Sequence, residues 1–225
     1  MSKRPPQARP RKTQPELASP VALALIEFGS IATGMHAGDA MAKKAPIARL
    51  VAGTVQPGKY LVLISGTVAD VEESLKAGRA AGSSHVIDFV FLPQVHPAVV
   101  DAIAAGAAPG RAGERASRGP SLGVIETSSV AAAIHAADAG VKGAEVSLLE
   151  LRLADGLHGK GLVLYTGDMQ DIEAAVDIGT RAIDSSLLVN QIVIPQLHDE
   201  MGANVITHTR FGANVGEGWS GTVDE

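Results

Sequence analysis

ALALIEFGSIATGMHAGDAMAKKA, residues 22–45, and LGVIETSSVAAAIHAADAGVKGA, residues 122–144, are one passage written twice. At an offset of 99 residues Ile26, Glu27, Ser30, His36, Asp39, Ala40, Lys43 and Ala45 recur as Ile125, Glu126, Ser129, His135, Asp138, Ala139, Lys142 and Ala144. Beyond a two-residue insertion Gly58, Lys59, Gly66, Asp70, Glu72 and Gly78 return as Gly159, Lys160, Gly167, Asp171, Glu173 and Gly179. One further inserted residue sets Pro93, Gln94 and His96 opposite Pro195, Gln196 and His198. The chain is two copies of one unit, and the pattern inside the unit gives the fold.

Each copy begins with a short apolar run (Val21 to Phe28; Leu122 to Ile125) that reads as a buried strand. Ser30 or Ser129 then caps a helix whose expected buried stripe is Ile31, Met35, Gly38 and Ala42, or Val130, Ile134, Ala137 and Val141. Two strands follow, joined by a tight turn at Pro57-Gly58 or at Leu157-His158-Gly159, with Pro at the first central position and Gly supplying positive φ. A second helix opens on a capping box, Thr67 with Asp70 or Asp168 with Asp171. A last strand ends at Pro93 or Pro195, and a short helix near Pro97 to Ala105 closes the first copy. The order β-α-β-β-α-β predicts an α+β fold of two tandem ferredoxin-like domains, each an antiparallel sheet with its helices on one face. The other face then lacks a cover, so the copies are expected to pack on each other and on further subunits.

The expected organisation is a disordered, basic, Pro-rich tail over 1–20, a first domain over 21–106, a Gly/Pro-rich linker over 107–120, a second domain over 121–206 and a Gly-rich tail over 207–225. Of 225 residues 46% are apolar, enough for one or two cores. A formal net charge of −5 argues against a general nucleic-acid binder. With no Cys, the chain itself supplies no disulfide, thiolate catalysis or cysteine-ligated zinc or iron–sulfur site. No apolar run is long enough to span a bilayer and the N-terminus is not signal-like, so the expected location is cytoplasmic.

Catalytic signals are weak. Asp39 with Lys43 and Asp138 with Lys142 stand at i, i+4 and suit helix ion pairs. Acid and base in one active site need different environments, whereas Glu27/Glu126, Asp39/Asp138, Asp70/Asp171 and Glu72/Glu173 all occur twice, which marks them as architectural. His36 and His135 are expected in hydrogen-bonded packing roles. No H-x-x-x-H or H-E-x-x-H spacing supports a metal site within one chain. Gly216-x-Gly218-x-x-Gly221 follows no strand and opens no helix, so it is not read as a nucleotide loop; Trp219 inside it has no assigned role.

The two quoted segments, each followed by a Gly-Lys hairpin, a second helix and a P-Q-V/L-H stretch, resemble the bacterial microcompartment shell domain. Two units in one chain resemble the tandem-domain, trimer-forming class, of the propanediol-utilisation type and in the unpermuted order of elements. The resemblance implies a structural protein and not an enzyme: a homotrimer forming a pseudohexameric tile in a microcompartment shell, packed edge to edge with hexameric and pentameric shell proteins. It places tile-edge contacts at Lys43, Lys142, Gln94, His96, Gln196 and His198, and a central pore at Gln56, Pro57 and Gly58 with Gly156, Leu157, His158 and Gly159. Gln94 and Gln196 stand where many relatives carry Arg, and Gln56 stands where some carry a cluster-binding Cys; no cofactor is implied. Backbone N–H groups, the Gln56 amide and the His158 imidazole at such a pore suit small polar or anionic metabolites. Three His158 rings would hold a metal only with nitrogens within about 2.1 Å of one point. The alternative reading is a trimeric small-molecule-binding sensor protein.

Overall fold

The computed structural model describes residues 22–105, 121–207 and 209–211; the expected tail over 1–20, the linker over 107–120 and most of the tail over 207–225, Trp219 included, lie outside them. The first unit runs β1 (Ala22–Phe28), α1 (Ile31–Lys44), β2 (Arg49–Val55), β3 (Lys59–Gly66), α2 (Val68–Gly82), β4 (Val86–Leu92) and α3 (Pro97–Ala105). The second runs β5 (Ser121–Thr127), α4 (Val130–Gly143), β6 (Ser147–Leu153), β7 (Gly161–Gly167), α5 (Met169–Arg181), β8 (Leu188–Ile194) and α6 (Asp199–Thr207). Each copy forms a four-stranded antiparallel sheet, ordered β2-β3-β1-β4 and β6-β7-β5-β8. The α+β repeat expected from the sequence is the fold observed.

Local chemistry accounts for most boundaries. Ser30 and Ser129 cap α1 and α4, their hydroxyls accepting from the backbone N–H of Thr33 and Ala132. Thr67 caps α2 by accepting from the Asp70 N–H and donating to its carboxylate at 2.7 Å. Asp168 makes no such side-chain bond at the start of α5, so the second expected capping box is absent. In the first hairpin the Gly58 N–H donates to the Val55 carbonyl, placing Gln56 and Pro57, joined by a cis peptide, at the centre of the turn; Pro57 therefore holds the second central position, not the first. Gly58 has φ +99°, the positive value expected of it. The second hairpin is a wider loop, closed by the Ala154 N–H on the Lys160 carbonyl, with positive φ at Ala154, Gly156, His158 and Gly159.

β1 is buried along its whole length because its two faces meet different partners. Ala22, Ala24, Ile26 and Phe28 pack under α1 and α2 with Met41, Val62, Ile64, Val71 and Leu75. Leu23 and Leu25 join a core shared with the second unit, containing Val90, Leu92, Val99, Ile125, Val130, Ile134, Leu148 and Leu151. The copies do pack on each other. Helix α4 lies against β4, and α3 lies against β6.

The stripe expected on α1 is displaced. Gly34, Ala37, Gly38 and Met41 are buried, while Ile31, Met35 and Ala42 are exposed. On α4 the corresponding Val130, Ile134 and Ala137 are buried, as are Ala131, Ala132 and Ala133 on the helix's other faces. One apolar face of this helix packs within its unit and the other packs across the junction, and among the described residues α4 but not α1 has a neighbour for the second face.

Candidate functional site

The junction between the two units concentrates most of the polar chemistry that the structure brings together. Glu27, fully buried near the end of β1, accepts from the Lys59 ammonium at 2.5 Å and from the Val130 N–H at 2.8 Å, across the unit boundary. A carboxylate at the first turn of α4 meets free backbone donors and the positive end of the helix dipole. Burial pushes the Glu27 pKa up from its ordinary 4.5, against the pull of Lys59 and the Val130 N–H. Asp88 on β4 accepts from the Ser129 hydroxyl beside it. Lys59 also donates to the Gly159 carbonyl at 3.1 Å, tying the two hairpins together.

A second polar cluster lies farther along α4. The His96 N–H donates to Asp138 at 2.7 Å, and Lys142 donates to the other Asp138 oxygen at 2.5 Å and to the Gln94 carbonyl. Three residues expected at a tile edge, Gln94, His96 and Lys142, are thus gathered inside one chain. Of the other three, Lys43 pairs with Asp39 at 2.6 Å in solvent, and His198, exposed, accepts from the Glu200 N–H through Nδ1. Gln196 is exposed.

The same groups in the other copy are left without this partner. Among the described residues Glu126 pairs only with Lys160, at 2.6 Å and partly in solvent, and Asn190 occupies the place of Asp88. The apolar surface divides the same way. Ile134 is 0% exposed but its counterpart Met35 is 55%; Val90 is 4% and Ile192 53%; Val99 is 0% and Met201 54%. Leu148 is buried under α3, whereas Leu50 on β2 is exposed. One chain therefore carries each half of its own junction once more, without a partner among the described residues: α1 and β2 at one end, β8 and α6 at the other.

Of the residues expected at a pore, Gln56, Pro57, Gly58, Gly156 and His158 are exposed, Leu157 is half-buried, and Gly159 is buried against Pro57 and Lys59. The hairpins of the two copies meet at this point. His36 and His135 are exposed on their helices, so the hydrogen-bonded packing role expected for them is not observed. Sequence reading missed Glu27, Lys59, Asp88 and Ser129 as a set. The available signal was a carboxylate embedded in an apolar strand, which requires a partner when buried.

A duplicated unit joined by two different, complementary faces, with both faces repeated at the free ends, is the architecture of a structural protein. The BMC domain model matches residues 22–95 and 121–197, and the chain belongs to that family. It is 34% identical to the bacterial microcompartment shell protein PduT of Citrobacter freundii over 186 residues, covering 82% of this chain and 97% of that protein. Similarity to the shell protein PduA of the same organism, 38% over 82 residues, covers 36% of this chain and 85% of PduA. The crystal structure of a microcompartment protein from Desulfitobacterium hafniense superposes with a TM-score of 0.67 at 42% identity, covering 81% of this chain and 98% of that one. The chain is a bacterial microcompartment shell protein with tandem BMC domains, a structural protein rather than an enzyme. No helix among the described residues is long and apolar enough to cross a membrane.

Proposed function

We propose that three chains close into a pseudohexameric tile with a central pore, the tile packing edge to edge with other shell proteins. The observation that carries this is the unused second copy of the junction. A face that meets a different face on its neighbour propagates, and forms a ring when the rotation closes. On the six-lobed plan of the shell domain, two units per chain give three chains per ring. In each new junction Glu126 would take the Ile31 N–H at the start of α1, Asn190 would meet Ser30, Asp39 would take the His198 N–H, and Lys43 would reach the Gln196 carbonyl.

On this reading the shell domains span 21–106 and 121–206, and the hairpins carrying Gln56 and His158, already in contact within one chain, line the pore three times each. Exposed turn amides, the Gln56 side chain and the His158 imidazole favour small polar or anionic metabolites. Lys43, Lys142, Gln94, His96, Gln196 and His198 cluster where neighbouring lobes meet, near the tile rim. Electron microscopy of the purified protein tests the proposal: pseudohexagonal plates with a central hole, or sheets and tubes of them, support it. Discrete particles that do not tile, and whose melting depends on a ligand, would support a sensor instead.

A further inference from the structure

Around β6 the second unit departs from the repeat. A cavity of about 600 Å³ is lined by Arg152, Asp155, Gly156, Thr209, Arg210 and Phe211. Its floor is β6, where a register shift between Leu148 and Glu150 inserts one residue; such bulges re-aim neighbouring side chains. Its wall is the segment after α6, held to β6 by the Thr209 hydroxyl, which donates to the Glu150 carboxylate at 2.8 Å.

Arg152 makes this more than a crevice. Its side chain is only 10% exposed, its Nε is buried with no hydrogen-bond partner, and the nearest carboxylate oxygen, Oε1 of Glu150, is 3.7 Å from that nitrogen. A buried guanidinium nitrogen without a hydrogen-bonded acceptor is costly, and the fork geometry of arginine matches a planar or tetrahedral oxyanion. Arg210 lines the same cavity and has no hydrogen bond or ion pair among the described residues. At the equivalent register the first unit has Gly53 for Arg152 and Val51 for Glu150, and its shorter hairpin lacks the extra residues of the Asp155-Gly156 loop. Groups that recur serve the architecture; this set occurs once.

We infer that the cavity binds a small oxyanion, a carboxylate or phosphate group held between Arg152 and Arg210. Asp155 at the same wall accepts from a ligand hydroxyl, which favours hydroxylated or protonated small anions over large polyanions. The site does not depend on ring closure; its position beside the pore does, because Gly156 belongs to both the cavity and the loop assigned to the pore.

Calorimetric titration of the full chain with inorganic phosphate and, separately, with acetate tests this, with chloride at matched ionic strength as the reference. The expected result is saturable binding of one anion per chain for at least one of the two, weakened at least tenfold by Arg152→Gln, several-fold by Arg210→Gln and not at all by Lys76→Gln on α2. The same anion should raise the melting temperature of the wild type and not that of Arg152→Gln. Should Arg152→Gln fail to fold, Arg210→Gln alone must show the weakening. No saturable heat with either anion, or unchanged binding in the arginine variants, overturns the inference. Light scattering on each sample separates the two readings, since a protein that binds anion without closing a ring leaves this site standing and removes the tile.

Discussion

Met35→Glu is the most informative single change, because Met35 and Ile134 occupy one position in two environments. Ile134 sits in the core shared by the two units, while Met35 remains 55% exposed in one chain. Fully burying a side chain of this size contributes about 1.5–3 kcal/mol, so the part of Met35 still open supplies roughly 1 kcal/mol when a neighbour covers it. A glutamate there loses that and also brings an unpaired polar group into an apolar junction, at a cost of about 2 kcal/mol or more. Together the loss is about 3 kcal/mol per junction, which is more than a hundredfold in each association constant. Sedimentation velocity over a dilution series reads the effect. Wild type should hold its assembled mass to far lower concentration than Met35→Glu, whose single chain keeps its circular dichroism and its own melting transition. Ile134→Glu, by contrast, should disrupt the chain itself. If Met35→Glu assembles at the same concentrations as wild type, the reasoning about unused faces is wrong.

Three further outcomes are expected. Burial holds the Glu27 pKa above 4.5, so the folded chain retains a proton that the unfolded chain releases. Its contribution is fullest below about pH 4.5 and is lost as pH rises through the folded value; urea melts should show wild type losing ground to Glu27→Gln between pH 4.5 and neutrality, and a constant gap would contradict the assignment. A Cβ at Gly78 would strike the Met41 and Ile26 side chains where α2 crosses α1 and the sheet, so Gly78→Ala should destabilise by about 1–3 kcal/mol in denaturant titration. His158 is exposed on its loop, so His158→Ala should alter metabolite passage through reconstituted shells while leaving assembly and melting unchanged; a protein that no longer assembles would remove His158 from the pore.

Much of this molecule was legible because its sequence states the same solution twice. Repetition located the strands, the Ser30 and Ser129 caps and the Gly-Lys hairpins, since each is set by neighbours within a few residues. The displaced stripe on α1 shows where such reading stops. Ile31 and Met35 are as apolar as Val130 and Ile134, and a 3.6-residue period records that a face is apolar without recording whether its partner lies in the same unit, the next unit or another chain. Glu27 and Lys59 were visible as recurring charges, but their joint role depends on residues about a hundred positions away at the start of α4. Helix α6 went unread because Gly202 interrupts a short polar pattern, although its counterpart α3 was identified correctly from Pro97 to Ala105. The oxyanion cavity involves residues without a counterpart in the first copy, which reading by repetition passes over.

The central claim is that the junction inside one chain is repeated between chains, and the absence of native cysteine permits a direct test. Asp88 and Ser129 touch within the chain, and the equivalent places are Asn190 and Ser30. Asp88→Cys with Ser129→Cys should oxidise to a cross-link that leaves a single-chain mass, whereas Ser30→Cys with Asn190→Cys should join chains into a covalent ladder ending at three. A second pair that gives only single chains, or a ladder running past three, would contradict the closed ring.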